Sequence, residues 1–274
     1  PVLAADGTTG YEQLALIEGE FSPAPGVVEL DEVYRGLTGG YGHGDPLMQR
    51  SRELREEVLR RDFPTRMRWA SLMLAETAPE LPLYSLEQAV ALFAAGCPVA
   101  RPDYPAVRER VLAAVDELAA RHPGAAPALR ALADVFADPA HAPEARYRIS
   151  DLTAAVTAVA VEQVGFHRTA RLVSSQELGA TPRLPWIGRS EFHRRSRLRA
   201  RRHPLAMTAL TTHDTKRSSD VRARIAILAQ VPQRWQLLVD ELWQRYPPPD
   251  RLLGYLLLQN LIGVWPDTGL PDPE

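Results

Sequence analysis

The sequence predicts a mainly α-helical chain with a few parallel β-strands, in which a helical subdomain is followed by β/α structure. Three observations carry this. Apolar residues recur at helical spacing through the middle of the chain. Dense proline and glycine, 24 and 17 of 274 residues, cut that pattern into short pieces. A threonine-rich apolar run, Leu205 to Thr212, stops at a charged cluster, as a buried parallel strand does when it delivers polar side chains at its carboxyl end.

The elements follow in order. After Asp45-Pro46, an N-cap and a first-turn proline, Leu47, Ser51, Leu54 and Val58 share one helical face. Pro64 ends or kinks that helix, and Trp69, Leu72 and Met73 form the apolar face of the next. Between Pro105 and Arg121, Val107, Val111, Val115 and Leu118 form a stripe among charged neighbours, with Asp103 as the expected cap and His122-Pro123-Gly124 as the stop. A shorter helix follows Pro127 and buries Leu129, Leu132, Val135 and Phe136. Residues 46–150 are therefore expected to form the helical subdomain, and no chemistry is visible in it.

From residue 151 the texture changes. Leu152 to Val164 is an apolar run that periodicity alone assigns to neither helix nor strand, and Leu172 to Ser175 has the composition of a short strand. The Leu205–Thr212 strand should deliver His213-Asp214-Thr215 at its tip, before a helix from about Asp220 that buries Val221, Ile225 and Leu228. Another helix carries Trp235, Leu238, Val239 and Leu242 up to Pro247. Strand, polar tip and helix make a β/α unit, and in β/α barrels such tips hold the sites.

Composition narrows the function. With 45% apolar and 24% charged residues, the composition is that of an ordinary globular protein, and disorder, collagen and a pure coiled coil are not expected. A net charge of −2 argues for no polyanionic partner, and a lone Cys97 in an apolar stretch rules out an internal disulfide and reads as a buried hydrophobe. No apolar run approaches the ~20 residues of a membrane span, and no signal peptide is visible, so the expectation is a cytoplasmic chain, part of something longer. All but one of the 32 basic residues are arginine; the exception is Lys216. Arg189, Arg194, Arg195, Arg197, Arg199, Arg201 and Arg202 crowd into fourteen residues. Such a cluster can neutralise phosphates, but Phe192 is its only aromatic, so a solvated surface is expected and nucleic acid is not.

The richest constellation is Thr211-Thr212-His213-Asp214-Thr215-Lys216-Arg217, which packs a carboxylate, an imidazole, an ammonium and a guanidinium together. Such a loop can offer an ionised carboxylate to sugar hydroxyls while the cations keep it ionised. The same residues also suit a helix N-terminus capped by Asp214 or Thr215, with the cations in solvent. A metal site is not expected, because no second ligand stands at a suitable spacing.

Four ordered blocks resemble the malto-oligosyltrehalose synthases, members of the α-amylase family. They are Gly7-Thr8-Thr9-Gly10-Tyr11; Leu172 to Gly179 with Phe192-His193; His213 to Arg217 with Asp220 to Arg224; and Tyr255 to Pro266, including Gln259 and Gly263-Val264-Trp265-Pro266. The likeness runs from end to end but covers only about a third of a family member. It implies the later part of a (β/α)8 barrel plus a helical insertion: residues 1–45 as a barrel loop segment, 46–150 as the insertion, and 151–274 as later β/α units. It also implies a (1→4)-α-D-glucan 1-α-D-glucosylmutase, an isomerase-type transglycosylase of trehalose biosynthesis. Such an enzyme uses no cofactor or metal and has a malto-oligosaccharide and the remainder of its own barrel as partners.

Position by position, the resemblance makes Asp214 the carboxylate that binds the 2- and 3-hydroxyls of the attacked sugar, bonds that strengthen as the ring becomes oxocarbenium-like. It makes His213 a neighbouring hydroxyl ligand. Lys216 and Arg217 should face the reducing-end sugar, Tyr11 should wall the site, and Phe166 matches an aromatic of a family segment and should contact substrate. Taken alone, Tyr11 fits a ring under a glycine turn, and Phe166 fits a core residue. Departures cluster at Ala158-Val159-Ala160, Glu162-Gln163-Val164, His167 and Gln176 to Ala180, where the family pattern differs. In the family's order the nucleophile and the acid/base precede the glycine-threonine block, so the chain alone is expected to be inactive. Rivals are an α-glucan hydrolase, an arginine-rich nucleic-acid-binding module, and a relative that binds glucan without turnover.

Overall fold

The computed structural model describes residues 3–4, 7–8, 10–39, 45–180, 186–266 and 269. These are mostly helical, and they divide into two compact units, Gln49–Val164 and a unit built from Pro1–Met48 with Gly165–Glu274.

In the first unit the periodic apolar stripes become helices. α3 (Asp45–Asp62) leads to α4 (Pro64–Ala75), which starts on Pro64, where the missing N–H costs nothing. α5 (Leu83–Gly96), α6 (Arg108–Arg121), α7 (Ala126–Ala137) and α8 (Pro143–Thr157) follow. Val111, Val115 and Leu118 of α6 meet Leu129, Leu132, Val135 and Phe136 of α7 and the apolar face of α5 in one core. Phe93 stacks on Phe136 at 5.2 Å between ring centroids. The ambiguous run from Leu152 resolves as helix: it completes α8 and continues as a π-helical turn, Ala158–Val164. The unit therefore extends past the expected 46–150, because α8 runs unbroken across residue 150. Pro143–His167 has the length and apolarity of a membrane span, but Ile149, Leu152 and Val156 are fully buried in the core, and core helices pass the same test.

Two local expectations are corrected. Trp69 is 58% exposed, and α4 buries Ala70, Ser71 and Leu74 instead. Asp103 caps no helix, because its carboxylate is held by Arg101 at 2.5 Å.

The second unit holds α1 (Tyr11–Phe21), α2 (Ala24–Thr38), α9 (Arg189–Arg202), α10 (Ser219–Ala226), α11 (Pro232–Arg245) and α12 (Arg251–Val264). Val27, Leu30 and Tyr34 of α2, Ile225, Leu228, Trp235, Val239 and Tyr255 form its core, with the Trp235 indole N–H donating to the Tyr255 hydroxyl at 2.9 Å. Gly26 is required there: a Cβ on it would lie 1.5 Å from the Ala229 carbonyl oxygen. Asp31 and Arg171, both buried, pair at 2.5 Å.

The expected parallel strands are not present among the described residues. The one sheet pairs β1 (Leu3–Ala4) with β2 (Gly7–Thr8), and it is antiparallel. Val173–Ser175 forms a 3-10 turn, and 205–212 is irregular and open, with Leu205 79% and Met207 67% exposed. A parallel strand needs a partner to take its backbone groups and layers on both faces to cover its side chains. Neither segment has such a partner here.

Candidate functional site

The site is built around the loop between Leu210 and Arg217, which leads into α10. Its turn is local: the Thr215 hydroxyl donates to the Thr212 carbonyl at 2.8 Å and accepts from the Thr212 N–H at 3.1 Å, and the Asp214 N–H donates to the Thr212 hydroxyl at 3.2 Å. The helix-cap alternative for Asp214 and Thr215 fails, because α10 is capped by Ser218, whose hydroxyl accepts from the Val221 N–H. That leaves the Asp214 carboxylate at the outer end of the loop, with its side chain 54% exposed.

Tyr11, 203 residues earlier, reaches this carboxylate. Its hydroxyl donates to Asp214 Oδ2 at 3.0 Å and lies 3.3 Å from the Thr212 hydroxyl. Two left-handed glycines make the approach possible. Gly10 (φ 91°) precedes α1, and a Cβ there would lie 2.5 Å from the Met207 carbonyl oxygen. A Cβ on Gly179 (φ 76°) would lie 2.6 Å from the Tyr11 carbonyl oxygen. The glycine before Tyr11 thus serves both φ and close packing.

The other expected site residues divide. His213 is 91% exposed, with Nε2 3.6 Å from Asp214 Oδ1. Lys216 is half-buried, and its backbone N–H donates to Glu177. The Arg217 guanidinium turns inward: Nε donates to Asn260 Oδ1 at 2.7 Å and Nη1 to the Val173 carbonyl at 3.3 Å, and burial lowers its pKa. Phe166 is an interior ring, 6% exposed. Beside it, the His167 imidazole is held below its ordinary pKa by burial and by the nearby Lys216 and Arg217 cations.

Beneath the loop lies a buried charge network that the sequence did not disclose. Arg222 is 1% exposed; its Nε donates to Glu18 Oε1 at 2.8 Å, and its two terminal nitrogens donate to the carbonyls of Arg217 and Leu210. Burial pushes the Glu18 carboxyl up, with Arg222 pulling it down. The Glu177 carboxylate is 2% exposed and accepts the backbone N–H groups of Leu178, Lys216 and Arg217 at 2.8–3.1 Å. Among the described residues, no group of three or more His, Cys, Asp or Glu side chains is placed to hold a metal. What remains is an anchored loop that presents a carboxylate and an imidazole, with a phenol on the carboxylate: groups suited to polar hydroxylated ligands.

In sequence and in fold the chain is similar to part of the maltooligosyltrehalose synthases. It is 36% identical over 270 residues, 98% of its length, to a putative maltooligosyl trehalose synthase of Mycobacterium tuberculosis, and it spans 34% of that protein. The structure of maltooligosyltrehalose synthase from Arthrobacter ramosus superposes with a TM-score of 0.81 at 34% identity, over 95% of this chain and 33% of that one. A hypothetical maltooligosyl trehalose synthase of Sulfolobus tokodaii shares the fold, with a TM-score of 0.72 at 22% identity. No family profile matches the chain. It spans about a third of the length of the relatives it matches.

Proposed function

We propose that this chain is one third of an intramolecular transglycosylase that converts the reducing-end α-1,4 linkage of a malto-oligosaccharide into an α,α-1,1 linkage. The match of 98% of the chain to the Mycobacterium tuberculosis protein carries this reading. In it, Asp214 binds hydroxyls of the sugar under attack, and His213 assists at its side. Hydrogen bonds to a carboxylate strengthen as the ring flattens and gains positive charge, so they favour the transition state over the ground state. Retention at both centres fits a two-step route through a glycosyl-enzyme, whose nucleophile and acid/base would lie outside these 274 residues. The released glucose must turn and attack through its anomeric hydroxyl before water does, so exclusion of water decides between mutase and hydrolase. The arginine-rich α9 has a different use from nucleic-acid binding in this account: Arg194 and Arg195 are held by Glu191, and Arg199 donates to the Met207 carbonyl.

The test is product analysis. The gene product expressed in its complete reading frame should consume reducing ends of maltopentaose without releasing shorter sugars, and the pure 274-residue chain should do nothing. Free glucose and shortened chains as the main products would make the protein a hydrolase.

A further inference from the structure

We propose that Glu177 and Arg222 are positioning residues that clamp the 210–217 loop at its neck and so fix Asp214. The inference rests on the reading of Asp214 as the sugar-binding carboxylate. One guanidinium, that of Arg222, takes the carbonyls of both Leu210 and Arg217, so it closes the loop at its two ends. Glu177 binds the descending limb from the other polarity by accepting the Lys216 and Arg217 N–H groups. The two side chains lie 3.8 Å apart, and Glu18 compensates the remaining face of Arg222.

Helix α1 joins both levels. Tyr11 at its first turn binds Asp214 at the outer end, and Glu18, two turns on, binds Arg222 at the neck. The loop has no regular secondary structure to hold it, and fixing each backbone residue costs conformational entropy. Charge-assisted bonds from buried groups are about twice as strong as neutral ones, which suits them to supply that order. None of these side chains needs to touch substrate. Their effect passes through the place of one carboxylate, and small misplacements of a reacting group can cost on the order of 10²-fold in rate.

Glu177→Gln tests the clamp. It keeps the size, but turns an NH2 group toward a backbone N–H. In the 274-residue chain, amide hydrogen exchange at Lys216 and Arg217 should accelerate about tenfold or more, while amides in α5 such as Phe93 keep their parent rates. In the complete gene product, kcat on maltopentaose should fall on the order of 10–100-fold with KM little changed, and Glu177→Asp should recover part of it. Unchanged exchange at Lys216 and Arg217 overturns the clamp. Faster exchange with parental kcat overturns the positioning role. Far-UV circular dichroism checks folding, and if Glu177→Gln fails to fold, Glu177→Asp gives the same two readouts. A parent inactive on glucans rejects the proposed function instead, and the amide rates still decide whether the loop is clamped.

Discussion

Tyr11 and Asp214 show how much a single hydrogen bond organises. The phenol donates to one oxygen of a half-exposed carboxylate whose other oxygen lies 3.6 Å from His213 Nε2. Hydrogen bonds to charged groups contribute about 1.5–3 kcal/mol, so Tyr11→Phe in the complete protein should lower kcat roughly tenfold or somewhat more. Parental kcat would mean that the phenol only packs. Cys97 is the opposite case, a group kept inert. It is fully buried, and burial pushes its thiol from 9.0 up to about 11. Because the folded state favours the protonated thiol, this contribution to stability is in place below pH 9.0 and is lost as pH rises toward about 11. A thiol reagent at pH 8 should therefore modify the native chain far more slowly than the urea-unfolded one, and equal rates would contradict the burial. The clamp was not legible in the sequence. Glu177 serves backbone N–H groups 39 and 40 residues away, so it leaves no local pattern. Arg222 stands among arginines that are mostly solvated, and in a chain with one lysine, residue type does not separate a buried guanidinium from a surface one.

Helices with a clear stripe were legible, because burial at 3.6-residue spacing is a local signal. Val111, Val115 and Leu118 in α6 and Leu129, Leu132, Val135 and Phe136 in α7 are the buried faces the spacing predicts. Where packing overrides composition, reading failed. Trp69 lies on the exposed side of α4 while Ala70 and Ser71 are buried, and the strand-like composition of 172–175 and 205–212 carries no information on the neighbours a strand needs. Phe93 marks the element on which the helical unit depends: α5 packs against α4, α6, α7 and α8. Phe93→Ala should cost about 3–5 kcal/mol through lost transfer energy and a cavity, read as a lower urea midpoint of the unit Gln49–Val164. A shift below about 1 kcal/mol would show that the ring is not a keystone.

At the scale of the molecule, the chain matches a third of its relatives and exposes apolar side chains where its sequence expects a covered strand. Leu205, Met207 and Leu210 are exposed beside the site, and Leu253, Leu257, Leu261 and Val264 line an open face of α12. The expectation of strands was therefore a statement about neighbours, and no reading of these residues alone supplies neighbours. The proposed enzyme needs Asp214 to act on sugar within a larger protein. The most direct test is Asp214→Asn in the complete gene product, assayed for loss of maltopentaose reducing ends. The account predicts a fall in turnover on the order of 10²–10³-fold with the fold intact, the scale of losing one transition-state hydrogen bond in a closed site. Turnover close to that of the parent would contradict it.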